Sequence, residues 1–134
     1  MTQLVLDSGA LSAWAERDRR VVAALEALRR TGGHVVVPTV VIAESTTGDG
    51  RRDAMVNLRL KGAALDECDE PRARRAAALR FASRSAERIS VVDAIVAAAG
   101  ESYGGTVMTA DPDDMNRLAS VSGQLNVVSL DQFG

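Results

Sequence analysis

The stretch HVVVPTVVIAE, residues 34–44, decides the fold class of this chain, because three consecutive valines stand before a proline and a second apolar run. A strand that is apolar on both faces is typical of a parallel sheet covered by helices on both sides. We therefore predict a buried strand at residues 34–37. Thr39 is predicted to cap a short helix that carries Glu44. A strand followed directly by a helix is the repeating unit of an α/β protein.

The same alternation continues on both sides of this stretch. Before it, an apolar strand at residues 4–6 leads into a turn and a short helix, and Val21, Leu25 and Leu28 form one stripe of an amphipathic helix at residues 19–30. After it, we predict helices ending near residues 60, 83, 103 and 120, and strands at residues 63–68, 106–109 and 126–128. Because parallel strands are joined by right-handed crossovers, the chain is predicted to form a three-layer α/β/α sandwich with a central, mainly parallel sheet.

The composition excludes several classes of protein. A chain of 134 residues with 46% hydrophobic residues is long and apolar enough for a packed core, which excludes disordered and fibrous proteins. Cys68 is the only cysteine, so an internal disulfide is excluded and a reducing compartment is favoured. There is neither an apolar run of the roughly 20 residues that a membrane span needs nor a basic N-terminal region typical of a secretion signal. We expect a cytoplasmic protein without membrane association.

Acidic residues follow the predicted strands at the edge where α/β proteins bind their ligands. Asp7 ends the first strand, and Glu44 lies in the helix after the second. Asp93 lies in the first turn of the most regular predicted helix, and Asp111 follows the strand after that helix. The carboxyl ends of parallel strands meet at one edge of the sheet, so we expect these four side chains to converge.

Each of these acids also has a purely structural explanation. Asp7 and Asp111 stand where helix N-caps are expected, and Asp111 is followed by a proline in the favoured first helical position. Ser90 and Asp93 have the spacing of a capping box, and Glu44 fits a solvated helix face. Taken together, however, four clustered acids would repel, by roughly 4 kcal/mol per pair at about 4 Å and an effective dielectric of about 20. A hard divalent cation, Mg²⁺ or Mn²⁺, would relieve this repulsion and bridge the acids to phosphate.

Other chemistries have little support in the sequence. His34 is the only histidine and stands at the start of a predicted buried strand, so neither a histidine general base nor a histidine-rich zinc site is expected. Neither a G-x-S-x-G motif nor a phosphate-binding P-loop occurs. The net charge of −2 does not by itself indicate nucleic-acid binding. In a protein that binds RNA, arginines at the rim of the site, with Arg51 and Arg52 or Arg17 as candidates, would have to offset it.

Four short motifs occur in order along nearly the whole chain. They are LVLDS at residues 4–8, VPTVVIAE at 37–44, SVVDAIVAAA at 90–99 and TADPDD at 109–114. Together they resemble the PIN domain family, and specifically its VapC toxin branch. The resemblance implies that residues 1–134 form a single PIN-like domain. It also implies a Mg²⁺- or Mn²⁺-dependent endoribonuclease that serves as the toxin of a type II toxin-antitoxin pair.

The resemblance assigns roles to particular residues. The family's four acids correspond to the catalytic and metal-binding candidates Asp7, Glu44, Asp93 and Asp111, and two supporting positions correspond to Thr109 and Asp114. Asp7, Asp93 and Asp111 are then expected to hold a cation that polarises a phosphodiester and acidifies an attacking water. Glu44 would orient that water or complete a second metal position. Hydrolysis by water would leave a 5′-phosphate and a 3′-hydroxyl.

The resemblance also implies partners for the chain. These are an RNA substrate, a cognate antitoxin that holds the toxin inactive, and a second copy of the chain. The apolar side chains of Leu11, Trp14 and Phe81 support a homodimer if they exceed what one small core can bury.

Alternative functions remain open on the sequence alone. A metal-dependent phosphatase or a DNA nuclease also places acids at the carboxyl edge of a parallel sheet. A phosphatase with an aspartyl nucleophile needs D-x-D after the first strand, where this chain has Asp7, Ser8 and Gly9. A receiver-like or interaction module would bind a regulatory cation without nuclease activity. Such a module needs a lysine near the site, and Lys61 is the only lysine in the chain.

Overall fold

A five-stranded parallel sheet forms the centre of the molecule in residues 2–84 and 88–133, which are the residues that the computed structural model describes. The strands are β1 (Gln3–Leu6), β2 (His34–Pro38), β3 (Ala64–Asp66), β4 (Thr106–Thr109) and β5 (Asn126–Ser129). Their order across the sheet is β3-β2-β1-β4-β5, and every neighbouring pair is parallel. The weakest predicted strand, at residues 63–68, is the shortest of the five.

Seven helices cover this sheet within the same described ranges. They are α1 (Ser8–Ala15), α2 (Arg19–Arg30), α3 (Thr39–Ser45), α4 (Ala54–Leu60), α5 (Glu70–Ala82), α6 (Val91–Ser102) and α7 (Pro112–Ser122), followed by a 3₁₀ turn at Leu130–Phe133. The predicted three-layer α/β/α sandwich is confirmed. Within the described residues, no helix is both long and apolar enough to cross a membrane.

The core lies around β1, β2 and the helix α6. Val5, Val36 and Val37 are fully buried, as expected of strands that are covered on both faces. In α6, residues 94–100 are all buried, and the small side chains of this segment let the helix lie close to the sheet. At Gly100 an added Cβ would lie 2.5 Å from the Val107 side chain of β4. This packing fixes the position of the first turn of α6, which carries Asp93.

Two predicted helix starts differ from the structure. Thr39 does not cap α3: the N-cap residue is Pro38, which makes no side-chain capping bond, and Thr39 is the first helical residue. Pro38 extends β2 by one residue, in register with Asp66 of β3. Likewise, α1 begins at Ser8, where a turn was predicted between the first strand and its helix, because the side chain of Asp7 caps it.

The structure corrects part of the sequence argument for a dimer. Leu11 and Trp14 are in the core of the single chain, with exposed fractions of 0% and 3%. The Trp14 ring has the guanidinium groups of Arg29 and Arg59 each 5.3 Å from its centroid. Of these three residues, Phe81 alone, which is 83% exposed, fits the expectation of an apolar residue left over from the core.

Candidate active site

Asp7 connects the carboxyl ends of β1 and β4. One carboxylate oxygen, Oδ1, accepts a hydrogen bond from the N–H of Ala10 at 2.8 Å and so caps α1. The other, Oδ2, accepts a short hydrogen bond from the hydroxyl of Thr109, the last residue of β4. Asp7 is therefore both the helix cap that its sequence position suggests and a buried carboxylate held from two sides.

Gly9 allows this arrangement, because it lets α1 approach the segment after β4. A Cβ added to Gly9 would lie 2.5 Å from the Cβ of Ala110, closer than side chains can approach. A larger residue at this position would move Ala110 away and disturb the bond between Thr109 and Asp7. The sequence gives no local signal for this contact, because Ala110 lies far along the chain.

Glu44 reaches the same region from α3. Its side chain is exposed, and Oε1 accepts a hydrogen bond from the hydroxyl of Ser8 at 2.8 Å. Because Ser8 directly follows Asp7, the first turn of α1 positions both carboxylates. Ser8 belongs to the LVLDS motif, but its role in orienting Glu44 was not predicted from the sequence.

Asp93 lies in the first turn of α6 and faces the other acids. Its N–H donates to the hydroxyl oxygen of Ser90 at 3.0 Å, as the predicted capping box requires. Burial, together with repulsion from Asp7, Asp114 and Glu44, raises the pKa of Asp93 to about 6, although the Ser90 side chain opposes the shift. Asp93 therefore lies within electrostatic range of three other carboxylates, those of Asp7, Asp114 and Glu44.

Asp111 lies at the rim, on the side of Asp7. It is exposed and caps α7, with its Oδ1 accepting from the N–H of Asp113 at 3.4 Å. Its own N–H donates to the hydroxyl oxygen of Thr109 at 3.0 Å. The charge of Asp111 contributes to the raised pKa of Asp7, which places the two carboxylates near each other.

Asp114 lies deeper in the site than Asp111. It is half-buried in the first turn of α7, and its charge contributes to the raised pKa of Asp93. The structure therefore brings together Asp7, Glu44, Asp93 and Asp114, which we call the acid cluster, with Asp111 beside it. The family resemblance implied only a supporting position for Asp114.

The acid cluster has no positive charge of its own. Among residues 2–84 and 88–133, neither its four members nor Asp111 forms an ion pair with an arginine or lysine. Burial raises the pKa of Asp7, although hydrogen bonds from Thr109, Ala10 and Ala110 lower it. His34, the only histidine, is exposed at the opposite end of β2. Desolvated carboxylates that repel one another provide the oxygen ligands that a hard divalent cation prefers.

A metal ion bound here would be partly hydrated. In the described part of the chain, no group of three or more Asp, Glu, His or Cys side chains is arranged to hold a metal ion by itself. Mg²⁺ does not need such a cage, because it keeps several waters and typically takes one or two carboxylates together with substrate phosphates. Asp7, which is buried, and Asp93, which is half-buried, are the two carboxylates that fit this requirement.

Comparison with known families decides the classification. The family model of the PIN domain matches residues 4–121. The chain belongs to the PIN domain family. PIN domains are nucleases, and they generally use divalent metal ions, which supports a nuclease function for this member. No curated protein matches the sequence at a significant level.

Solved structures extend the likeness over almost the entire PIN domain. A chain of VapBC2 from Rickettsia felis, bound to a DNA fragment from its promoter, superposes with a TM-score of 0.78 at 12% identity, covering 96% of this chain and 98% of that one. DNA-bound VapBC from Salmonella typhimurium gives 0.75 at 14% identity, with 97% and 99% covered. FitAcB from Neisseria gonorrhoeae gives 0.67 at 22% identity, with 95% and 97% covered. At these identities the likeness shows a shared fold.

Proposed function

We propose that this PIN domain is a Mg²⁺- or Mn²⁺-dependent endoribonuclease that acts as the toxin of a type II toxin-antitoxin module. The observation that carries the proposal is the acid cluster, in which carboxylates from four elements converge without an arginine or lysine among them. Membership of a nuclease family supports the reaction type. The fold shared with chains of VapBC and FitAB complexes supports the toxin role.

The hydrogen bonds of the site suggest a role for each acid. Asp7, whose carboxylate Thr109 orients, and Asp93, which the Ser90 cap places in the first turn of α6, would hold the ion, with Asp111 completing the set at the rim. When bound, a divalent ion supplies Lewis-acid polarisation of the phosphodiester and a more acidic water. Glu44 would orient the attacking water, because Ser8 holds its exposed carboxylate at the mouth of the site.

The nature of the nucleophile follows from the groups available. Internal attack by the 2′-hydroxyl of RNA usually needs a general base such as histidine, and His34 is exposed at the opposite end of its strand. Water oriented by a carboxylate is therefore the proposed nucleophile. Cleavage by water would leave a 5′-phosphate and a 3′-hydroxyl.

The proposed partners follow from the proposed role. A cognate antitoxin would hold the toxin inactive, as the VapBC and FitAB names of the similar structures suggest. A second copy of the chain would cover Phe81, which is 83% exposed. Cellular RNA as the substrate would place the protein in the cytoplasm. Light scattering of the purified chain at micromolar concentration would test the dimer: a mass near 14.1 kDa at every concentration would contradict it.

The receiver-like alternative loses support from the position of Lys61. This lysine is exposed at the C-terminal end of α4. The neighbouring Arg59 contacts the backbone of Trp14 at the C-terminal end of α1, whereas the acid cluster lies at the other end of α1. Lys61 is therefore on the wrong side to serve an acidic receiver site.

A cleavage assay with matched variants tests the proposed function. Purified protein is incubated with a structured RNA in Mn²⁺ or in EDTA, as wild type, as Asp7→Asn, and as Glu26→Gln, which neutralises an exposed acid on α2. We expect cleavage only in Mn²⁺, its loss in Asp7→Asn and its retention in Glu26→Gln. Equal cleavage in EDTA, or by Asp7→Asn, would contradict the proposal. DNA and p-nitrophenyl phosphate in parallel reactions test the DNA nuclease and phosphatase alternatives.

A further inference from the structure

The loop between α3 and α4, residues 46–53, is fixed by one buried carboxylate. Asp53 is only 5% exposed. Its Oδ1 accepts from the N–H of Thr47 at 2.8 Å and from the Thr47 hydroxyl at 3.0 Å, and its Oδ2 accepts from the N–H of Gly48 at 2.8 Å. Gly48 has a φ of +84°, a conformation that glycine adopts at little cost. These hydrogen bonds hold the last residue of the loop, Asp53, against Thr47 and Gly48 near its start.

The 46–53 loop lies at the same end of α1 as the acid cluster. It follows α3 directly, and Glu44 of α3 is bonded to Ser8, the first residue of α1. At the other end of α4, Arg59 donates to the carbonyl oxygen of Trp14, near the end of α1. Because α4 ends at Leu60 and β3 begins at Ala64, the end of α4 lies at the edge where the strands begin, so α4 runs alongside α1 in the same direction. The start of α4 and the loop before it therefore lie at the end of α1 that Asp7 caps.

Two arginines of this loop have no acidic partner. Arg51 and Arg52 are exposed, and neither forms an ion pair within the described residues. Their backbone N–H groups both donate to Oδ1 of Asp49, at 2.9 and 3.5 Å, which shapes the turn from which their side chains project. The carboxylate of Asp53 accepts its hydrogen bonds from backbone and hydroxyl donors, and within the described residues it forms no ion pair with either arginine.

We propose that the 46–53 loop binds the phosphate backbone of single-stranded RNA beside the acid cluster. Arg51 and Arg52 would contact phosphates that flank the scissile bond, and Asp53 is the positioning residue that holds the loop. The planar guanidinium group is suited to two-point contact with phosphate. A loop that is already ordered also loses less conformational entropy on binding. The inference rests on the proposed ribonuclease function, because it takes RNA as the substrate.

The chain provides a matched control at the far end of α1. Arg17 and Arg19 are also exposed and also lack an ion pair within the described part of the chain. The N–H of Arg17 donates to the carbonyl of Trp14, so this pair is separated from Asp7 by α1, a length of about 12 Å for its eight residues. Neutralising either pair changes the net charge equally.

Binding of RNA without cleavage tests the loop directly. Fluorescence anisotropy of a short fluorescein-labelled single-stranded RNA is measured in EDTA over a range of salt concentrations. We expect Arg51→Gln with Arg52→Gln to weaken binding about tenfold and to reduce the salt-dependence slope by about 1.4, the value for two lost phosphate contacts on a single strand. Arg17→Gln with Arg19→Gln should bind like wild type. Equal weakening by both pairs, or none by the loop pair, would overturn the proposal.

The positioning role of Asp53 has its own readout. In Mn²⁺, Asp53→Asn should raise KM for the RNA while leaving kcat near that of wild type, because it releases the loop but leaves the acid cluster intact. If Asp53→Asn does not fold, KM is measured instead for Thr47→Val, which removes only the hydroxyl hydrogen bond to Asp53. An unchanged KM in a folded variant, checked by circular dichroism, would overturn the positioning role.

These measurements separate the two proposals. Wild-type protein that binds RNA through Arg51 and Arg52 but does not cleave it in Mn²⁺ would refute the ribonuclease function and leave the binding surface standing. Protein that cleaves RNA equally well with either arginine pair neutralised would refute the surface and leave the nuclease standing. Protein that neither binds nor cleaves RNA would refute both.

Discussion

Two groups of acids in the described part of the chain differ in how their charge is balanced. Asp66 and Glu101, the paired acids, each receive two hydrogen bonds from an arginine. Arg72 reaches both carboxylate oxygens of Asp66 at 3.0 Å, and Arg75 reaches those of Glu101 at 2.7 and 2.8 Å. The bonds from Arg75 hold the pKa of Glu101 below its ordinary value, against the effect of burial. In the acid cluster, burial raises the pKa of Asp93 to about 6.

The difference shows which acids serve the fold. A buried carboxylate is costly unless it is paired or hydrogen-bonded. The paired acids meet that requirement within the chain, and Arg72 also donates to the carbonyl of Ala98 and so connects β3, α5 and α6. The acid cluster meets it only in part, and a bound cation would relieve the remaining repulsion. Under the proposed function, uncompensated charge marks the acids that are available for chemistry.

The largest expected effect is on activity. Asp93→Asn should lower RNA cleavage in Mn²⁺ by on the order of 100-fold or more, because even residues that only support metal ligands cost about 10- to 100-fold. Glu101→Gln, which neutralises a paired acid, should keep activity within about threefold as long as the protein is folded. Initial rates on the same RNA measure both. Similar losses in the two variants would remove the distinction between the groups.

The free energy of unfolding should show the opposite order: a change at a paired acid should lower it more than a change in the acid cluster. Asp66→Ala leaves Arg72 without its acidic partner and should lower the free energy of unfolding by about 3 kcal/mol, since breaking a buried ion pair typically costs this much or more. Asp7→Asn removes repulsion and, in EDTA, should leave stability close to that of wild type. Urea denaturation in EDTA provides both values. A larger loss in Asp7→Asn than in Asp66→Ala would contradict the comparison.

The pH dependence of stability should show the uncompensated charge on Asp93. Its folded pKa of about 6 lies above the ordinary 3.8, so the folded state binds the proton more tightly than the unfolded state. The resulting stabilisation is fully present below pH 3.8 and is lost as the pH rises through about 6. It should amount to at most about 2 kcal/mol after allowance for solvent screening.

Comparison with a variant isolates this contribution. In EDTA, wild type should gain stability relative to Asp93→Asn as the pH falls from about 7 to about 4. Urea denaturation at several pH values measures the difference between the two proteins. Parallel pH profiles would show that Asp93 titrates normally in the folded state.

The smallest expected effects separate Asp111 from Asp114. In EDTA, Asp111→Ala should stay near wild type, because relief of repulsion on Asp7 offsets a cap that is worth about 1 kcal/mol or less. Asp114→Ala should be slightly stabilised, since it removes repulsion on Asp93. Both should lose part of the increase in melting temperature that Mn²⁺ gives wild type. An Asp111→Ala variant that is equally destabilised with and without Mn²⁺ would leave that residue as a helix cap only.

The local sequence pattern was sufficient to predict most of the fold and the edge of the sheet at which the acids meet. The valines of residues 35–37 identify a strand buried on both faces, and strand ends place Asp7 and Asp111 on one side. Contacts between distant segments were not predictable in this way. The approach of Gly9 to Ala110 depends on how neighbouring strands pack, and no periodicity in either segment encodes it.

The same limit explains the errors about individual side chains. Trp14 was named as support for a dimer if one small core could not bury it, but it is buried in the single chain, and the guanidinium groups of Arg29 and Arg59, from two other helices, lie over its ring. The greater depth of Asp114 relative to Asp111 depends on the orientation of the first turn of α7. Sequence spacing alone left both acids as candidates.

Calorimetric titration with Mn²⁺ tests most directly whether the acids that lack an arginine partner bind the cation. Wild type, Asp93→Asn and Glu101→Gln are titrated under identical conditions, with folding checked by circular dichroism. We predict saturable binding to wild type and Glu101→Gln with similar affinity, and at least about tenfold weaker binding to Asp93→Asn. Equal Mn²⁺ affinity in wild type and Asp93→Asn, or a loss confined to Glu101→Gln, would contradict the account.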